Sequence, residues 1–154
     1  MSRLLTTECF DAFLLSEASI TTFTTFHIDG SFHKDYFGLS QDQTALPAGS
    51  VLTWRLIRPF FYELVKGRHT PLNFKLVFRL ADYNTEKLLE QSGIQLAVND
   101  VAGLFLNIHY NGKEVFGTTG TSLHIFTLDK SLDFAWDTMV EKFFRQWQIP
   151  FLSI

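Results

Sequence analysis

The chain has 154 residues, of which 46% are hydrophobic and 19% charged, and its formal net charge is −3. This length and composition indicate one folded domain spanning 1–154 and exclude a disordered chain. Cys9 is the only cysteine, which excludes an intrachain disulfide. The N-terminus lacks the apolar run of a signal peptide and no stretch is long enough for a membrane span, so we expect a cytoplasmic protein.

The first third of the chain predicts a helix, a hairpin and a loop. Apolar residues recur at helical spacing over 3–15, which indicates a short amphipathic helix. Residues 20–28 are rich in β-branched and aromatic residues, and the Asp29-Gly30 pair after them is typical of a two-residue hairpin turn. Residues 34–50 contain turn formers without a sustained period and predict a long loop.

The middle third predicts a helix, a strand and a second helix. The pattern over 53–66 favours an amphipathic helix that ends before Gly67, although Pro59 either interrupts that helix or marks its first turn. An alternating strand over 72–80 follows it. A shorter helix is expected over 84–93.

The last third predicts three strands and a long helix. The strands are expected over 104–110, 113–119 and 121–128, with Asn111-Gly112 as the first turn. Residues 131–147 place their apolar side chains on one face of a helix. The predicted class is α+β: one domain of β-hairpins and a C-terminal three-stranded antiparallel meander, packed by amphipathic helices.

Basic residues concentrate in one segment. Residues 55–79 hold six of the thirteen basic residues and one acid, so this segment has a charge of +5 and the remainder −8. A 100° helical step puts the residues at 55, 58, 62 and 66 within an arc of about 80°, and alternation puts Asn73, Lys75 and Arg79 on one strand face. The candidate anion-binding residues are Arg55, Arg58, Tyr62, Lys66, Arg68, Lys75 and Arg79.

This segment has three interpretations. As a functional surface, it would bind an anionic small molecule or an acidic protein, and the chain would be a non-enzymatic binding module. As an ordinary solvated surface, it would be neutralised by acidic loops of the same chain. Nucleic-acid binding is a further alternative, disfavoured by the pI near 5.9.

The histidines supply the only candidates for catalysis. A two-residue turn at Asn111-Gly112 would put His109 opposite Glu114. The two side chains would then be an acid–base pair for a hydrolase or transferase, or a cross-strand contact on the surface. A two-residue turn at residues 29 and 30 would put His27 and His33 on opposite sheet faces, where they could not share a metal. No metal motif or nucleotide loop is present, and we expect no cofactor.

The C-terminal residues 149–154 include four apolar side chains, Ile149, Phe151, Leu152 and Ile154. These side chains need a cover, supplied either by the same domain or by a second subunit. The segment therefore raises the alternative of a homo-oligomer.

Three phrases of the chain, residues 10–23, 70–75 and 117–129, resemble an uncharacterised family of Firmicutes known only as a domain of unknown function. The likeness extends over nearly the whole chain. It implies a single soluble bacterial domain, and it brings no activity and no site residues.

Overall fold

A five-stranded antiparallel sheet is the centre of the fold, which the computed structural model describes for residues 1–37 and 50–154. The elements are α1 (Ser2–Thr6), β1 (Leu14–Thr21), β2 (Thr25–Asp29), α2 (Trp54–Val65), β3 (Asn73–Arg79), α3 (Asp82–Gln91), β4 (Val101–Tyr110), β5 (Val115–Leu123) and α4 (Ser131–Gln146), with 3-10 helices at Lys34–Phe37 and Val98–Asp100. The strand order is β2-β1-β3-β4-β5, and every neighbouring pair is antiparallel. The α+β class is confirmed.

One face of the sheet, here called the inner face, is covered by α2 and α4. Its side chains are buried: Leu15, Ala18, Ile20, Phe74, Leu76, Phe78, Leu104, Leu106, Ile108 and Tyr110. The ring centroid of Trp54 in α2 lies 5.3 Å from that of Phe78. In α4 the indole of Trp136 donates a 2.9 Å hydrogen bond to the carbonyl of Phe105. We call the other face of the sheet the open face.

Three helices form at or near the positions that the sequence predicts. The helix expected over 53–66 is α2, and it continues through Pro59. Gly67, with φ of 139°, follows its last turn in a conformation that favours glycine. The long helix is α4, with Leu132, Trp136 and Val140 buried. The shorter helix, α3, begins two residues before its expected start at Asn84.

The helix predicted over 3–15 is wrong in extent, because α1 ends at Thr6. Residues 8–13 form turns instead, with the amide of Phe13 donating to the carbonyl of Phe10 at 3.0 Å. Both rings are buried, and the Phe10 ring stacks on Phe78 with centroids 5.5 Å apart. Consecutive turns satisfy the same apolar spacing that a helix would.

The hairpin at Asp29-Gly30 is also wrong. The segment over 20–28, expected to be one strand, contains the end of β1 and most of β2. A turn at residues 22–24 joins these two strands. Gly30 instead lies against the bulge of β1, where an added Cβ would be 1.5 Å from the carbonyl oxygen of Leu15. A glycine is required there for close backbone approach, and the Asp-Gly pair has no turn to form.

Residues 113–128 contain one strand where two were expected. β5 runs from Val115 to Leu123 through Gly117 and Gly120, and it pairs with β4 along its length. β3, β4 and β5 still make a three-stranded antiparallel unit at these new bounds. Of the loop predicted over 34–50, residues 38–49 lie outside the described part of the chain.

Candidate anion-binding site

One of the two basic residues of α2, Arg58, is held by an acid of the same chain. Arg58 donates two hydrogen bonds to the Asp11 carboxylate, from Nε to Oδ1 at 2.8 Å and from Nη2 to Oδ2 at 3.0 Å. These hydrogen bonds raise the pKa of Arg58 above its ordinary value. The two side chains are only 23% and 14% exposed. Arg58 therefore ties α2 to the turns before β1, and its charge is neutralised locally.

The remainder of the α2 surface is mixed in character. Lys66 lies 2.8 Å from the Glu63 carboxylate, and this hydrogen bond raises its pKa. Arg55 and Tyr62 are exposed, and so are the apolar side chains of Leu56 and Phe60. Only a narrow stripe of α2, centred on Trp54 and Phe61, is fully buried in the core. The predicted basic stripe therefore lies beside exposed apolar groups.

The basic residues of β3 lie on the other side of the sheet from α2. Phe74 contacts Phe61 of α2, with ring centroids 5.7 Å apart, so Phe74 points to the inner face. Side chains alternate along a strand, so Lys75 and Arg79 point to the open face, as predicted. The connection through Arg68 does not bring the basic residues of α2 and of β3 onto one surface, since the sheet lies between them.

Five side chains of β3 and β4 form a group on the open face, here called the open-face cluster: Lys75, Arg79, Phe105, Asn107 and His109. Lys75 is the cross-strand neighbour of His109, and Arg79 is the neighbour of Phe105. Lys75 and Arg79 are four residues apart, a separation of about 14 Å along a strand. Two anionic groups, or one extended chain, can span that distance.

Arg79 is the cation of this cluster that has no counter-charge within residues 1–37 and 50–154. Its side chain passes beside Gly103, where an added Cβ would lie 3.1 Å from Arg79 Cδ and 2.7 Å from the Phe105 ring. The Nε atom is enclosed and has no hydrogen-bond partner among the described residues. The terminal guanidinium nitrogens reach solvent and have no acidic partner in the described chain. Packing against Phe105 fixes the aliphatic part of the Arg79 side chain. Its terminal guanidinium nitrogens stay available to an acceptor on another molecule.

Charge divides across the open face. Glu17 of β1 lies 3.6 Å from Lys75 Nζ, with both side chains about half exposed. On β2, Asp29 accepts from the amide of Ser31 and lies 3.3 Å from the imidazole of His33. The Ser31 amide first, and then His33, lower the pKa of Asp29. The β1–β2 side is thus acidic and the β3–β4 side basic.

The pairing of His109 with Glu114 is wrong. His109 pairs with Phe116, because the turn has four residues where a two-residue turn was expected. The side-chain oxygen of Asn111 accepts from the amides of Lys113 and Glu114, each at 2.9 Å, and this stabilises the longer turn. His33 likewise lies near Asp29 and not across a hairpin. The hydrolase alternative loses the pair on which it rested.

The described residues contain no group of three or more histidine, cysteine and acidic side chains placed to hold a metal ion. Cys9 is buried. Across residues 1–37 and 50–154, no helix is long and apolar enough to cross a membrane.

The model of a family of unknown function, DUF5721, matches residues 3–152. The chain belongs to this family. No curated protein and no solved structure shows a significant match to this DUF5721 chain. The proposal for its function therefore depends on its own geometry and charge.

Proposed function

We propose that this DUF5721 protein is a small cytoplasmic binding module that recognises an acidic partner or anionic ligand on the open face of its sheet. The observation behind the proposal is Arg79, a cation whose stem is fixed beside Phe105 and whose terminal nitrogens have no acceptor in the described chain. An arginine held in this way loses little side-chain entropy when it binds a carboxylate or phosphate.

The other members of the open-face cluster suit the same role. Lys75 supplies a second cation, with Glu17 as a weak and solvent-exposed partner that an anion can replace. Asn107 and His109 add hydrogen-bonding groups between and beside the two cations. Phe105 gives the arginine an apolar support. The group combines charge, polar contacts and an aromatic surface, without a catalytic pair.

The separation of the cations favours an extended acidic protein segment over a single phosphate. A strand places Lys75 and Arg79 about 14 Å apart, whereas one phosphate is small enough to contact only one of them. A long polyanion is less suitable, because Glu17 and Asp29 lie on the adjacent half of the same face. The net charge of −3 also disfavours nucleic acid.

The test uses three variants and an oligoglutamate peptide as the probe. Arg79→Gln and Lys75→Gln each remove one cation from the open-face cluster, and we expect Arg79→Gln to weaken binding by about 10-fold or more. Arg55→Gln is the matched control, since it removes the same charge from an exposed arginine of α2. Binding is measured by titration calorimetry at low salt.

The outcomes separate the alternatives. Equal loss in Arg79→Gln and Arg55→Gln would refute the site, because only net charge would then matter. Tighter binding of inorganic phosphate than of the peptide would replace the acidic segment by a small anion. Steeply salt-dependent retention of a single-stranded oligonucleotide, with no peptide binding, would favour nucleic acid instead.

A further inference from the structure

The two edges of the sheet differ in how they are protected. The edge strand β2 has five residues, including His27 and Asp29. The other edge strand, β5, has nine residues and contains neither a charged residue nor a proline. Edge strands are usually short, charged or interrupted, because their free backbone groups can pair with another strand. β5 has the composition of an interior strand at an edge position.

The free backbone groups of β5 follow from its register. The amide of Asn111 donates to the carbonyl of Glu114 at 3.2 Å, and hydrogen-bonded pairs alternate along an antiparallel ladder. Even-numbered residues of β5 therefore bond to β4, and odd-numbered ones point their backbone groups away from the sheet. Four residues present such groups along most of the strand: Val115, Gly117, Thr119 and Thr121. In the described chain these groups have no backbone partner.

Exposed apolar side chains lie near each end of β5. At the Val115 end, a groove of about 860 Å³ separates the strand from α4 and the C-terminal tail. Leu152 and Ile154 of that tail are 93% and 115% exposed. At the Leu123 end, a second groove of about 530 Å³ is lined in part by Phe126, which is 90% exposed. The apolar side chains of the C-terminal tail are therefore only partly covered by the described chain.

We propose that β5 pairs antiparallel with β5 of a second copy, about a twofold axis at Thr119. In this register Gly117 lies opposite Thr121 of the partner subunit, and all outward-pointing residues face one another as hydrogen-bonded pairs. No formal charge meets another across the β5 pair, since β5 has none. The result is a continuous ten-stranded sheet with an isologous interface.

The same axis brings the two apolar ends together. It is perpendicular to the sheet, so α4 of both copies lies on one side, where both grooves also lie. Antiparallel pairing sets the Val115 end of one strand beside the Leu123 end of the other. Leu152 and Ile154 of one copy then approach Phe126 of the partner subunit. One symmetry operation accounts for the unpaired edge and for both exposed apolar sets, and this favours a second copy over an unrelated strand.

The first test is the molar mass in solution, measured by light scattering. We expect twice the chain mass of 17.7 kDa for the parent. Thr119→Pro removes an outward-pointing amide, which an edge strand tolerates, and we expect it to shift the mass to the monomer. Thr119→Val is the matched control: it also loses the hydroxyl that donates to Asp137, but it keeps the amide and should remain a dimer.

The second test is residue-resolved amide hydrogen exchange of the parent chain, which does not depend on the folding of a variant. We expect the protection of the amides at 117, 119 and 121 from exchange to increase with chain concentration. The amides at 116, 118 and 120 should be protected at all concentrations. A monomer at about 1 mM with free exchange at the odd amides would overturn the proposal. A dimer with free exchange there would place the second copy elsewhere, and a monomer protected there would show that the chain covers its own edge; either result also overturns it.

Discussion

Arg58 is the basic residue that we assign to stability and not to binding, and replacing it with methionine tests that assignment. Methionine keeps much of the apolar stem and removes both hydrogen bonds to Asp11, which are 2.8 and 3.0 Å long. The Asp11 carboxylate, only 14% exposed, would lose its counter-charge. The expected result is a lower free energy of unfolding with unchanged binding of the oligoglutamate probe.

The magnitude follows from the burial of this pair. Exposed ion pairs contribute up to about 1 kcal/mol, whereas removing one partner of a fully buried pair costs about 3–5 kcal/mol. Side chains that are 23% and 14% exposed lie between these limits, so we expect a loss of about 2 kcal/mol. For a chain of 154 residues that loss lowers the melting temperature by about 4–8 °C.

The assay is urea unfolding followed by tryptophan fluorescence, in a double-mutant cycle of Arg58→Met and Asp11→Asn. The double variant should lose less than the sum of the single variants, because both remove the same ion pair. Arg55→Met is the control, since Arg55 is exposed and has no ionic partner in the described chain; it should lie within about 0.5 kcal/mol of the parent. A coupling free energy below about 0.5 kcal/mol would refute the structural role of the pair.

Three further predictions test the fold. Gly30→Ala should cost more than about 3 kcal/mol in urea unfolding, because its Cβ would be 1.5 Å from the Leu15 carbonyl oxygen. The Cβ of Gly120→Ala meets no atom of the described residues within 4 Å, and this variant should cost far less. Asp29→Asn should lower the melting temperature at pH 7 and match the parent near pH 2, since a carboxyl with a lowered pKa stabilises only above its titration range. Trp136→Phe should cost about 2–3 kcal/mol in urea, because it removes the indole hydrogen bond to the Phe105 carbonyl and leaves a cavity where the indole ring is buried.

Each of these has a clear contrary result. Equal stability of the two glycine variants would contradict the close approach of Gly30 to β1. A pH-independent difference for Asp29→Asn would show that its charge does not stabilise the native state. An unchanged free energy of unfolding in Trp136→Phe would contradict the hydrogen bond between α4 and the sheet.

Elements with a long and regular pattern were predictable from the sequence. α4 repeats its apolar side chains over 16 residues, and only a helix places Leu132, Trp136 and Val140 on one side. The segment before β1 was not predictable, because Phe10 and Phe13 show helical spacing but are buried by consecutive turns. There the aromatic packing against β3 and α4 decides the backbone, and local periodicity does not.

The candidate site was predictable from the sequence only where a local pattern determines it. Alternation along β3 correctly places Lys75 and Arg79 on one face. Their neighbours Phe105 and His109 belong to a strand some thirty residues later, and no local pattern states that β4 pairs with β3. The mismatch at Glu114 has a local cause: the side chain of Asn111 bonds two amides of the turn and lengthens it.

The most direct test of the binding proposal is an amide NMR titration with the oligoglutamate peptide, compared between the parent and Arg79→Gln. We expect the largest shifts at Lys75, Arg79, Phe105 and His109 in the parent, with small shifts in α2 and the loss of most of them in Arg79→Gln. Shifts confined to α2 around Arg55, or an unchanged pattern in Arg79→Gln, would contradict the open face as the binding site.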